Sequence, residues 1–522
     1  MNRLYASAVF FLCLLKPIVG FAQAPEQTID FDLNARCKLL EDLKIKDTHI
    51  LSASIVTDDS DLPKYCRVTG YVLPAVNFEI RLPLEQWNGK FYMTGCGGFC
   101  GSVNSDSKTF RNGMNYGLER HYAVSTMDSG HWGESFTDGR WAMNNRIAEI
   151  DWAYRAVHET ARVSKLVIEA FYGREPEKSY FNGCSTGGRQ AVMEALRYPE
   201  DFDGIISGCP TLDQNGLNSL YSSWLVQSNM GRDGKDKIAP GDLTLIAKAV
   251  YDACDEVDGL KDGLIDNPSE CKFDPASLLC SDGETSDCLA PEQVETLRAW
   301  YGGVKNSAGE QLYPGGVPLG SEPFWEWIIG KTDMSDDGLV FLFARENLRY
   351  LAFQEDPGDR YSVTDFDFDN DPQRLEFMSK IKNADNPDLE LFRKKGGKLL
   401  MYHGWSDAAL PPWTSIEYYE AVEHNVGSRE ETQAFFRLYM IPGMDHCGIL
   451  EGPGITDGGV DFLAELEKWV EMGEAPESVL TTKYDDDGNV LWTRPICPYP
   501  QRAIYKGQGD INDAANFSCI EQ

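Results

Sequence analysis

Residues 178–196, KSYFNGCSTGGRQAVMEAL, decide how this chain is read. A short apolar strand runs into Gly183-Cys184-Ser185-Thr186-Gly187, and a helix of good formers follows at once. A turn that sharp lifts the serine hydroxyl above a sheet and crowds its neighbours, so glycines two places before and after the serine relieve the clash. The helix start also offers backbone N–H groups to an oxyanion. Ser185 is thus the candidate nucleophile and Thr186 a candidate oxyanion donor.

A serine hydroxyl is a weak nucleophile and needs a histidine held by a carboxylate. On α/β-hydrolase scaffolds the chain order is serine, acid, histidine, with the acid and the base on loops after late strands. Of seven histidines, that order favours His403, His424 and His446. His424 lies in a helical stretch and reads as a surface residue. Residues 399–407, LLMYHGWSD, and 440–448, MIPGMDHCG, each end a strand in a polar loop. We take Asp407 as the acid and His446 as the base, and read His403 as structural. Asp445 is the rival acid, but a side chain next to the histidine points away too often to orient its ring.

Cys184 precedes the serine and Cys447 follows the histidine. If Ser185 and His446 touch, those cysteines are close, and a disulfide would staple nucleophile to base. The second oxyanion N–H is expected from residues 91–101, FYMTGCGGFCG, with Gly98 the choice and Gly97 the alternative.

Residues 254–271, CDEVDGLKDGLIDNPSEC, space carboxylates every three to four residues with glycines between, which suits a hard cation such as calcium. Asp255, Asp258 and Asp262 would give carboxylates, and Leu260 and Leu264 backbone carbonyls. Cys254 and Cys271 bracket the loop and would clamp it.

The chain's 522 residues allow a large core. Arg3, an apolar run to Leu15 and small residues ending Ala22-Gln23-Ala24 read as a secretory signal peptide over 1–24, cleaved after Ala22 or Ala24. The mature protein is therefore expected in a periplasm or outside the cell, where thiols oxidise. If Cys13 leaves with the signal, thirteen of the 14 cysteines remain, enough for six disulfides and one thiol. A formal charge of −34 argues against nucleic-acid or membrane partners.

Short strands alternate with helical patterns over 25–220, and strand texture returns over 392–522. These two parts read as one α/β-hydrolase core around a largely parallel sheet. Residues 221–391, acidic and rich in Gly and Pro, read as a large inserted lid domain. The lid's Trp224, Phe324, Trp325 and Trp327 could line an aromatic pocket, although packing is the commoner role for such residues.

The chain resembles the tannase and feruloyl esterase family, which includes mono(2-hydroxyethyl) terephthalate hydrolase. The likeness rests on Gly183 to Gly188, Asp255 to Leu264, Tyr402 to Asp407, Pro442 to Cys447, and a tail from Arg494 through Cys519. It implies the α/β-hydrolase fold with a lid, the Ser185–Asp407–His446 triad and structural calcium in the lid. It also implies disulfides Cys184–Cys447, Cys254–Cys271, Cys280–Cys288, Cys497–Cys519 and Cys37–Cys66. Cys96 and Cys100 fall outside that set and could pair with each other, leaving Cys209 as the buried thiol. The terephthalate-cleaving member uses a lid arginine for its substrate's carboxylate, and Gly338 or its neighbours stand there instead.

The expected function is hydrolysis of feruloyl- or galloyl-type esters of aromatic acids by a secreted serine esterase through an acyl-enzyme, with a small-molecule aromatic ester as substrate and no nucleic-acid or membrane partner. The alternatives are terephthalate monoester hydrolysis, a non-catalytic phenolic-binding protein on the same scaffold, and a peptidase or lipase.

Overall fold

The computed structural model describes residues 33–57, 62–105, 113–281, 286–326 and 338–521; the expected signal peptide lies outside them. Nine strands form one mixed sheet. β1 (Thr48–Val56), β2 (Tyr65–Val72) and β3 (Val76–Pro83) pair antiparallel, and β3 pairs antiparallel with a later strand, Ala123–Met127. β4 (Lys90–Thr94), that strand as β5, β6 (Lys178–Cys184), β7 (Gly204–Gly208), β8 (Lys398–Gly404) and β9 (Phe436–Ile441) are parallel. The order across the sheet is β1-β2-β3-β5-β4-β6-β7-β8-β9.

Side-chain alternation divides the core in two. Phe91, Met93, Phe181, Ile205, Leu399 and Met401 face one layer with helices Ala156–Tyr172, Thr186–Arg197 and Trp413–Val426. Tyr92, Tyr180, Ile206, Leu400 and Tyr402 face the other, against helix Phe462–Met472. With both faces covered, β5 and β7 are buried at every position, and their sequences, AVSTM and GIISG, do not alternate apolar with charged residues.

Between β7 and β8 the chain leaves the sheet for 209–397, adds no strand to it among the described residues, and builds a separate apolar cluster around Leu297, Trp300, Trp325 and Leu348. The tail adds two hairpins, β10 (Val479–Tyr484) with β11 (Val490–Ile496) and β12 (Arg502–Tyr505) with β13 (Phe517–Ile520).

The sheet is largely parallel, as expected, with its first three strands meandering antiparallel. A π-helical turn, Asp151–Arg155, precedes helix Ala156–Tyr172. The six disulfides are Cys37–Cys66, Cys96–Cys100, Cys184–Cys447, Cys254–Cys271, Cys280–Cys288 and Cys497–Cys519. Cys209 is free and buried. Among the described residues, no helix is long and apolar enough to cross a membrane.

Candidate active site

Ser185 sits between β6 and helix Thr186–Arg197 with φ 63° and ψ −123°, a backbone region that residues other than glycine rarely occupy. The surroundings hold it there. Its N–H donates to the Gly208 carbonyl on β7 at 2.9 Å, and its carbonyl accepts from Arg189 N at 3.0 Å. A Cβ on Gly183 would lie 2.5 Å from the Gly187 carbonyl group, which is the crowding the motif anticipates. Gly188 is as constrained, since its Cβ would meet the Gly208 carbonyl at 2.4 Å; a Cβ on Gly187 would meet nothing nearer than the Cys96 carbonyl at 3.3 Å.

His446 Nδ1 lies 2.7 Å from Asp407 Oδ2, and the loops after β8 and β9 carry the two residues. The other oxygen of Asp407 accepts from Ala409 N at 3.1 Å and Leu410 N at 2.8 Å. Burial alone would raise the Asp407 carboxyl. The His446 charge and hydrogen bonds from His403 and His446 outweigh it and hold the carboxyl down at about 2. For His446, burial lowers the imidazole but Asp407 more than compensates, so its pKa lies above the ordinary value.

His403 is fully buried. Its Nε2 is 3.2 Å from Asp407 Oδ2 and 2.9 Å from the Leu410 carbonyl, and its Nδ1 meets Ser415 Oγ at 2.8 Å. It is structural in its partners, yet it braces the acid, a contact its i, i+4 spacing from Asp407 could have suggested. Asp445 points elsewhere: Oδ2 accepts from Leu450 N at 3.1 Å, and burial followed by the Asp407 charge pushes its carboxyl up to about 8.

The Cys184–Cys447 bond ties the residue before Ser185 to the residue after His446, with 6.0 Å between Cα atoms. It closes a loop of 263 residues, for which the chain-entropy relation gives about 5.6 kcal/mol.

Ser185, His446, Gly97 and Gly98 open onto one cavity of about 600 Å³. Phe136, Leu217, Asn218, Val340, Phe343 and Leu450 form much of its wall, and no Lys, Arg, Asp or Glu lines it among the described residues. Thr186, buried, begins the helix beside it. The Cys96–Cys100 bond tightens the glycine loop, and Gln190 tethers it to the helix by accepting from Cys96 N at 3.2 Å while donating to Ser129 Oγ at 3.0 Å.

The aromatic wall is not the one expected from the lid. Trp325 packs edge-on against Trp300 with centroids 5.1 Å apart, Trp224 packs against Phe368, and Phe324 fills the space beside Gly452; none of them lines the cavity. Trp327 lies outside the described residues.

In the acidic loop, Asp255 Oδ1 accepts from Asp262 N and Gly263 N, and Asp258 and Asp262 accept from Leu260 N and Leu264 N. Asp262 Oδ2 faces Arg494 at 2.8 Å, and Asp266 keeps a buried oxygen without a partner. The side-chain donors are hard oxygens, four aspartate carboxylates within residues 255–266, which fits calcium in kind. Asp266 was not among the expected ligands.

The chain matches the family model described as tannase and feruloyl esterase over residues 60–520. It is 35% identical to an uncharacterized esterase of Xanthomonas campestris pv. campestris, with 88% of this chain and 85% of that one covered. It is 33% identical to mono(2-hydroxyethyl) terephthalate hydrolase of Piscinibacter sakaiensis, over the same shares. The crystal structure of feruloyl esterase B from Aspergillus oryzae superposes with a TM-score of 0.80 at 28% identity, covering 94% of this chain and all of that one.

Proposed function

The chain belongs to the tannase and feruloyl esterase family and is a carboxylic ester hydrolase; from that premise we propose that it is a secreted serine esterase cleaving esters of neutral aromatic acids, of feruloyl or galloyl type. The observation that carries the reading is the cavity shared by Ser185 and His446, walled by Phe136 and Phe343 and free of charged side chains among the described residues.

In this mechanism Ser185 Oγ attacks the ester carbonyl while His446 Nε2 takes its proton. Asp407 keeps the other ring nitrogen protonated and steadies the imidazolium. The N–H groups of Thr186 and Gly98 hold the oxyanion, each worth about 10²–10³-fold in rate. Collapse expels the alcohol, which takes the proton from His446 and leaves an acyl-Ser185 ester. Water, deprotonated by His446, then releases the aromatic acid and restores Ser185.

A panel of methyl ferulate, methyl gallate, a terephthalate monoester and p-nitrophenyl acetate tests the specificity. A free carboxylate entering this cavity loses solvation, with no cation among the described lining residues to repay it. We expect kcat/KM on methyl ferulate or methyl gallate to exceed that on the terephthalate monoester by at least about tenfold, roughly 1.4 kcal/mol. The reverse order would favour terephthalate monoester hydrolysis, the activity named for one relative.

Calcium is proposed as a structural cofactor held by Asp255, Asp258, Asp262 and the Leu260 and Leu264 carbonyls; when bound it would supply charge neutralisation and fix the turn. Chelation is expected to lower the melting temperature by about 5 °C or more, reversed by calcium and not by magnesium. A melting temperature unmoved by chelator, with no calcium in the purified protein, refutes the site.

A further inference from the structure

Away from the active-site cavity, three elements bring one donor each to a single point. Helix Ala156–Tyr172 carries His158, helix Thr186–Arg197 carries Glu194, and the turn before β7 carries Asp201. One ligand atom from each lies within 4.8 Å of the others. Glu194 is 1% exposed and neither of its carboxylate oxygens has a hydrogen-bond partner. Asp201 stands beside it within hydrogen-bond reach, and burial together with the Asp201 charge pushes the Glu194 carboxyl well above its ordinary range. Such a pair needs either a shared proton or a cation.

The rest of the cluster favours a cation. His158 Nδ1 approaches Asp201 Oδ2 at 2.6 Å, and the imidazole is stacked on Tyr198 with centroids 3.9 Å apart and planes 8° from parallel, which fixes the ring. The nearby Lys165 ammonium is spent on the backbone carbonyl of Asp201 and not on either carboxylate. The His158 side chain is 29% exposed and that of Asp201 15%, so the site has an entrance. Zinc bonds of about 2.0–2.1 Å put tetrahedral donors about 3.4 Å apart, a closure that side-chain rotation can supply.

We propose that His158, Glu194 and Asp201 bind a divalent first-row transition metal. Two carboxylates balance its charge, and an imidazole nitrogen selects it over calcium, which takes oxygen donors. The metal would pin the nucleophile's helix, about two turns beyond Ser185, to the neighbouring helix and to the entry of β7.

Equilibrium dialysis of the full chain against zinc, with calcium at millimolar concentration to satisfy the acidic loop, tests this. The wild type should retain one zinc that calcium does not displace. His158→Ala, at a partly exposed position, should keep the fold and weaken zinc by at least about tenfold. Glu194→Gln should do the same, and if it fails to fold His158→Ala decides alone. Cobalt in place of zinc should show visible ligand-field bands that vanish in His158→Ala. No zinc retained at micromolar free metal, zinc indifferent to His158→Ala, or zinc lost instead with His446→Ala would each overturn the site.

Discussion

Replacing Ser185 with alanine is expected to lower kcat on methyl ferulate by about 10⁵–10⁶-fold while leaving the fold and the melting temperature in place. The size follows from what remains. Without Oγ there is no acyl-enzyme, and His446 has no proton to take, so only the oxyanion donors and the positioning of substrate still act, worth about 10³–10⁴ over water. Stability should hardly move, because alanine retains a Cβ and occupies the same strained backbone at φ 63°. The bonds from Ser185 N to Gly208 and from Arg189 N to its carbonyl, and the neighbouring Cys184–Cys447 link, do not involve the hydroxyl. Purified variant assayed beside wild type, with its melting curve, separates the two effects. Hydrolysis surviving at more than about a thousandth of the wild-type rate would remove Ser185 from the mechanism.

What could be read from the sequence was local or was tied by chemistry. The elbow is a five-residue steric problem, and the constraints at Gly183 and Gly188 are visible in which residues are glycine. Cys184 and Cys447 could be paired because each adjoins a residue whose role demands proximity. Pocket walls have no such signal. Phe136 and Phe343 come from distant segments and meet near 6 Å only through the tertiary fold, whereas Trp224 and Trp325 of the lid are consumed by packing on Phe368 and Trp300. The antiparallel start of the sheet was hidden for a similar reason. β1 buries only Ala53 and leaves its other positions exposed or half-buried, so it shows little of the apolar alternation that would announce it. Asp407 and Asp445 were separable only by a general argument about adjacency, and their surroundings supply a sharper one.

That difference can be measured. Asp407→Asn is expected to lower kcat by about 10⁴-fold, and Asp445→Asn by less than about tenfold, although both carboxyls are buried close to His446. Asp407 is an anion at any working pH, held at about 2, and sits 2.7 Å from His446 Nδ1. An amide there can present its own N–H to the ring and favour the wrong tautomer. Asp445, with its carboxyl near 8, is protonated at neutral pH, so asparagine resembles the form already present. The pH profile gives an independent readout. His446 must be neutral to accept the Ser185 proton, so kcat/KM in the wild type rises as pH climbs through a histidine pKa lifted above its usual value. Removing the Asp407 charge leaves burial, which lowers that pKa, so the acidic limb of the residual Asp407→Asn activity should move to lower pH. In Asp445→Asn the acidic limb should stay close to that of the wild type, because a protonated Asp445 has no charge with which to lift His446. A larger loss for Asp445→Asn than for Asp407→Asn would exchange the two acids and break the assignment built on β8 and β9.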